Sequence, residues 1–112
     1  MVAEINATGM TVFARIDHDA GATEVGLTLR PTELIIFGNA RGGTPLLQAA
    51  QTIGIDLPLK ALVWEDAAGK TWISYNEPNW IARRHGLRNA EQVVSKMGAA
   101  LSAIARKAAN PN

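Results

Sequence analysis

Apolar positions along this chain recur with two different periods, and the changes of period mark out its elements. Val2, Ile5 and Asn6 have helical spacing, and Gly9 stands where a C-terminal cap ends a helix. So short a helix makes too few internal hydrogen bonds to stand alone, so residues 1–9 read as a helix remnant that must dock. Thr11–Asp17 alternates, which predicts a strand with Val12, Ala14 and Ile16 on one face and Thr11, Phe13, Arg15 and Asp17 on the other. The Ala- and Gly-rich stretch from His18 to Thr28 predicts one or two helical turns, ended by Arg30-Pro31 because proline excludes the helical region for the residue before it. Leu34–Phe37 is apolar on both faces, as a central strand is.

A glycine-rich loop, Gly38–Thr44, follows, and Thr44-Pro45 supplies an N-cap and a first helical residue. Leu46, Leu47, Ala50 and Ile53 then make a short helix closed by Gly54. Leu59–Glu65 and Lys70–Tyr75 read as a hairpin around Asp66-Ala67-Ala68-Gly69, with glycine at the left-handed position. With Asp66 facing Lys70, Trp64 lies opposite Trp72 and Leu62 opposite Ser74. Asn79–His85 forms a helix that Gly86 ends; Asn89 is expected to cap the last helix, whose stripe is Val93, Val94, Met97, Leu101, Ile104 and Ala108. Residues 109–112 are expected to fray. The fold class this predicts is α+β, an antiparallel sheet with helices packed on one face in two layers, as a single domain over residues 1–112. Four strands are few, so either a strand is missing at the N-terminus or another chain covers the open edge.

Composition removes several chemistries. There is no cysteine, which excludes disulfides and thiolate sites, and two histidines do not make a His-rich metal site. A net charge of +1 gives no electrostatic reason to bind nucleic acid. No apolar run approaches a membrane span and no signal peptide opens the chain, so the expectation is a bacterial cytoplasmic protein without membrane, nucleic-acid, metal or cofactor partners.

Four stretches carry candidate chemistry. Gly38–Thr44 reads Gly-x-x-x-x-Gly-Thr and lacks the lysine of a nucleotide-phosphate loop. What it retains is a set of backbone N–H groups around Gly43, with Arg41 beside them, for a carboxylate, phosphate or sulfate; the alternative is a plain helix-start turn. Lys60 shares a strand face with Leu62 and Trp64, opposite Tyr75–Asn76, and either runs its stem along apolar surface or faces a cleft as base or Schiff-base nucleophile. Asp17-His18-Asp19 resembles a strand-end base with a carboxylate, but neighbours on a strand point apart, which favours an exposed loop histidine. Arg83, Arg84, His85 and Arg88 form a basic patch near Trp80, read as a solvated helix end, and Glu65-Asp66 as hairpin-turn residues.

The motifs Gly9-Met10-Thr11-Val12-Phe13, Arg30-Pro31-Thr32-Glu33-Leu34, Phe37-Gly38-Asn39 and Gly43-Thr44-Pro45-Leu46, then Leu57–Asp66, Gly69-Lys70 and Ser74-Tyr75-Asn76, cover most of the chain. Through them it resembles the bacterial domain-of-unknown-function family 302. The resemblance implies a TATA-binding-protein-like α+β fold, a homodimer, and no established reaction. Such domains open with a strand and a full first helix; this chain starts inside that helix and so apparently lacks the usual first strand. Ala40 and Gln51 stand where prolines are common in the family.

The leading expectation is a small domain binding a small ligand or anion through Gly38, Asn39, Arg41, Gly43, Thr44, Lys60, Tyr75 and Asn76. The alternatives are an enzyme using Lys60, with His18 or Tyr75, on a small carbonyl or acid substrate, and a dimerisation module without ligand. No nucleophile–base–orienter set is visible in the sequence.

Overall fold

Strands β1 (Thr11–Asp17), β2 (Thr32–Gly38), β3 (Leu59–Glu65) and β4 (Thr71–Tyr75) pair in chain order as an antiparallel sheet. The computed structural model describes residues 1–109. Between and around the strands lie α1 (Val2–Ala7), α2 (His18–Glu24), α3 (Ala40–Ala49), a 3-10 helix over Gln51–Ile55, α4 (Pro78–Arg84) and α5 (Glu91–Ala109). The architecture is the two-layer α+β arrangement that the apolar pattern predicts.

Ile35, Phe37, Leu59 and Ala61 of the central strands meet Ile5 of α1 and Leu101 and Ile104 of α5 in the main core. A second core, Leu46, Ile53, Ile81, Ala82 and Val94, joins α3, the 3-10 helix, α4 and α5. The docking of α1 through Ile5 stabilises a helix of only six residues. Gly9 (φ +82) ends it, donating its N–H to the Asn6 carbonyl, as glycine does at a helix C-terminus.

The hairpin has the expected register, with Trp64 opposite Trp72 and Leu62 opposite Ser74. Gly69 takes the left-handed conformation (φ +84) that the turn requires. Leu57–Pro58, which leads into β3, is a cis peptide.

Four local expectations are corrected. Leu46 to Ile53 is not one helix closed by Gly54: α3 ends at Ala49, Ala50 is extended, and Gly54 lies inside the 3-10 helix Gln51–Ile55. In β1 the register shifts between Val12 and Ala14, so a bulge at Phe13 breaks the alternation. Val12, opposite Phe37, joins the core side, whereas Ala14 and Ile16 lie opposite Ile36 and Leu34 on the other face. The helix after β2 starts at Ala40, not at Thr44-Pro45, because Asn39 caps it first: its side chain accepts the Gly42 N–H at 2.7 Å. Pro45 therefore sits inside α3 and removes one helical hydrogen bond. Asn89 does not cap the last helix; it takes a left-handed conformation (φ 58), and α5 begins at Glu91. Of the tail expected to fray, Ala109 closes α5 and residues 110–112 lie outside the described residues.

The sheet face opposite the core holds Ala14, Ile16, Leu34, Ile36, Leu62, Trp64 and Trp72, and none of them is buried. Lys60 lies on that same face, opposite Ile36.

Candidate functional site

The end of β2 and the first turn of α3 form one wall of a cavity of about 310 Å3. Gly38, Asn39, Ala40, Gly43 and Thr44 line that wall. The rest is apolar: Phe13, carried there by the β1 bulge, Leu47 of α3, Leu57, Pro58 and Leu59 ahead of and within β3, and Met97 of α5. Gly54 closes the side next to Leu47, where an added Cβ would stand 3.3 Å from a Leu47 methyl group.

Two of the backbone donors that suggested an anion site are already engaged. The Gly42 N–H donates to the Asn39 side chain, and the Gly43 N–H donates to the Asn39 carbonyl at 3.0 Å. Among the described residues no lysine or arginine lines the cavity, and Arg41 is exposed on α3 away from its lining. An anion would have to be desolvated there without a charge partner, which is costly. The cavity suits an apolar or weakly polar molecule.

Besides the exposed Arg41, the other seven residues expected to share one site fall into two groups. Gly38, Asn39, Gly43 and Thr44 line the cavity, whereas Lys60, Tyr75 and Asn76 line a separate depression with Leu34, Leu62 and Ser74. Lys60 Nζ donates to the Asp56 and Pro58 carbonyls at 3.3 and 3.4 Å, so its head group returns along its own strand entry. The depression beside it is open, with mixed polar and apolar walls.

With the geometry in place, comparison with known proteins decides the family. The family model described as "Domain of unknown function DUF302" matches residues 1–104. This chain belongs to the DUF302 family. The crystal structure of an uncharacterised conserved DUF302 protein from Bacillus stearothermophilus superposes with a TM-score of 0.83 at 18% identity, over 94% of this chain and 82% of that one. The fold is therefore the DUF302 fold. In sequence, the chain is 53% identical over 96 residues to "Fluoride-specific ion channel FluC 1" of Brucella suis, covering 86% of this chain and 38% of that protein. The proteins of the same description from Brucella abortus and, as FluC 2, from Brucella melitensis match at the same identity with 36% of their length covered. The chain thus spans less than two fifths of the length of these relatives.

Around the candidate site of this DUF302 domain lies a polar cluster that sequence reading missed. His85 is not part of a solvated helix end: its side chain is only 8% exposed, and its Nε2 meets the Asp56 carboxylate at 2.5 Å. Asp56, itself 11% exposed, also accepts from Arg84 at 2.9 and 3.1 Å, and His85 Nδ1 lies 3.0 Å from the Thr52 hydroxyl. Arg84 lies over the Trp80 ring, 5.7 Å from its centroid. Thr52 and His85 are thirty-three residues apart, and no sequence spacing signals their meeting. The only hint was His85 standing at the end of a helix that precedes a glycine.

The remaining candidates are structural. Asp17 caps α2 by accepting the Ala20 N–H at 3.2 Å. Asp19 accepts the Thr32 N–H at 2.8 Å, which chiefly holds its carboxyl below the usual aspartate range. Neither carboxylate is placed to orient His18, which is exposed. Asp66 accepts from Trp72 Nε1 at 2.8 Å and from the backbone N–H groups of Ala68 and Lys70, each at 2.9 Å. These bonds, the Trp72 one foremost, lower its pKa. Among the described residues no group of three or more His, Asp or Glu side chains is placed to hold a metal ion.

Proposed function

We propose that this DUF302 domain binds a small, largely apolar molecule in the cavity between the start of α3 and the entry to β3. The observation that carries the reading is the cavity itself: a volume of about 310 Å3, walled by Phe13, Leu47, Leu57, Pro58, Leu59 and Met97, with Asn39 and Thr44 at its polar side. Apolar surface kept concave beside a few polar groups is the common form of a small-molecule site. The engaged N–H groups of Gly42 and Gly43 favour this ligand class over an anion. The test is titration with indole, followed by the amide NMR signals of Gly38, Gly43 and Gly54. Saturable shifts at those three glycines that vanish in Leu47→Trp, whose larger ring occupies the cavity, support the reading. Shifts confined to the open sheet face, or no saturable shift, overturn it.

A second reading concerns assembly. The sheet face bearing Ile16, Leu34, Ile36, Leu62, Trp64 and Trp72 is apolar and unburied, and a contiguous patch of that kind favours a protein interface. We read it as the surface through which two copies pair. The enzyme alternative built on Lys60 has less support, because its Nζ donates to the backbone carbonyls of Asp56 and Pro58.

The Brucella relatives suggest a setting. No helix among the described residues is long and apolar enough to cross a membrane. We therefore assign the fluoride path named for those relatives to the part of their length outside the matched segment, and read the DUF302 segment as an attached ligand-responsive module.

A further inference from the structure

Thr52, His85 and Asp56 stand in the order nucleophile, base and orienting carboxylate. Asp56 is held as an acceptor by the two Arg84 contacts at 2.9 and 3.1 Å, so its bond with His85 Nε2 is received from an N–H. With a neutral ring and its proton on Nε2, Nδ1 carries the lone pair and faces the Thr52 hydroxyl as its acceptor, 3.0 Å away. The ring and the carboxylate are nearly buried, at 8% and 11% exposure, whereas Thr52 is exposed, so an incoming molecule meets the hydroxyl first. Compared with a serine-protease triad, the roles of the two ring nitrogens are exchanged while the connectivity is the same.

We propose that Thr52 is an acyl-accepting nucleophile and that this DUF302 domain cleaves a small carboxylic ester. The Thr52 oxygen forms a bond to the ester carbonyl carbon while its proton passes to His85 Nδ1. The carbonyl re-forms, the bond to the leaving alcohol breaks, and the alcohol takes the proton from His85. Water then attacks the acyl-threonine with the same nitrogen as base, releasing the acid and restoring the hydroxyl. Asp56 acts as a positioning residue, holding the ring and favouring its charged form during transfer. The 3-10 helix carries this site on one side through Thr52 and the cavity wall on the other through Gly54. The site therefore stands whether or not the cavity binds indole.

The experiment is reaction of the whole chain with p-nitrophenyl acetate, reading nitrophenol release and locating the acetyl group by peptide mass spectrometry. The expected result is acetyl on Thr52, lost in Thr52→Ala and kept in Thr52→Ser, with both variants folded by circular dichroism. His85→Gln slows the acetylation of Thr52 by about 10²-fold or more. Asp56→Asn slows it as well, without moving the acetyl group to another residue. Acetyl found only on lysines or the N-terminus of the wild-type chain overturns the proposal. So does a Thr52→Ala variant that releases nitrophenol at the wild-type rate.

Discussion

Single residues here act mainly by satisfying backbone and ring donors at points where the chain turns. Asp66 is the clearest case, since one carboxylate accepts from Trp72, Ala68 and Lys70 and so closes the β3–β4 turn. Its pKa is lowered in the folded chain, so its contribution is complete above the ordinary aspartate value of 3.8 and is lost as pH falls through the depressed folded value. Urea midpoints read by tryptophan fluorescence should fall in acid for the wild-type chain. Asp66→Asn should be less stable near neutral pH and should show a flatter acid limb; parallel limbs would remove Asp66 as a source of that dependence. Asn39 works in the same way at the start of α3, and its cap is why the glycines of that turn have no N–H free for an anion.

Among the elements, the β3–β4 hairpin was legible in the sequence down to its register. The short turn with Gly69 and the alternation on either side leave one pairing that puts every apolar side chain on a consistent face. Its two indoles sit 6.1 Å apart between centroids with planes 21° apart, and Lys70 Nζ lies 4.3 Å above Trp72. A double-mutant cycle of Trp64→Ala and Trp72→Ala should give a coupling on the order of 0.5–1 kcal/mol in chemical denaturation. A coupling of zero would mean that the hairpin owes its stability to the turn and the ladder alone. Boundaries set by competing caps were less legible. Asn39 and Thr44 are both good caps, and local propensity does not rank them; packing of Leu46 and Leu47 against the second core fits the helix that starts at Ala40. The β1 bulge was illegible for a related reason. Thr11–Asp17 alternates acceptably in either phase, and only pairing with β2 shows that the phase changes at Phe13.

At the scale of the whole molecule, the helices that build the two cores lie on one side of the sheet and leave the apolar residues of the other side unburied. Sedimentation equilibrium should give a mass about twice the 11.9 kDa of one chain. Leu62→Lys, at the centre of the open face opposite Leu34 and Ser74, should return it to one chain with an unchanged circular dichroism spectrum. A single-chain mass for the wild-type protein would refute pairing through that face. The same layering separates the residues first grouped as one site. Gly38 and Thr44 meet α5 through the cavity, whereas Lys60 projects to the other face of the sheet with Leu62 and Trp64.

What the sequence by itself determined is what depends on near neighbours in the chain: the strand and helix periods, the helix ends at Gly9 and Gly86, the hairpin register, the α+β class and the family. Those features follow from repeat spacing and local hydrogen bonding, which a linear reading contains. Tertiary structure alone decided which of two caps starts α3, where β1 changes phase, and that Thr52, Asp56 and His85 converge. The physical reason is that each of these is fixed by a partner far along the chain. Ile36 and Phe37 set the β1 phase, the second core supports the α3 start, and the 3-10 helix packed against α4 through Ile53 and Ile81 brings a hydroxyl, an imidazole and a carboxylate within hydrogen-bonding reach.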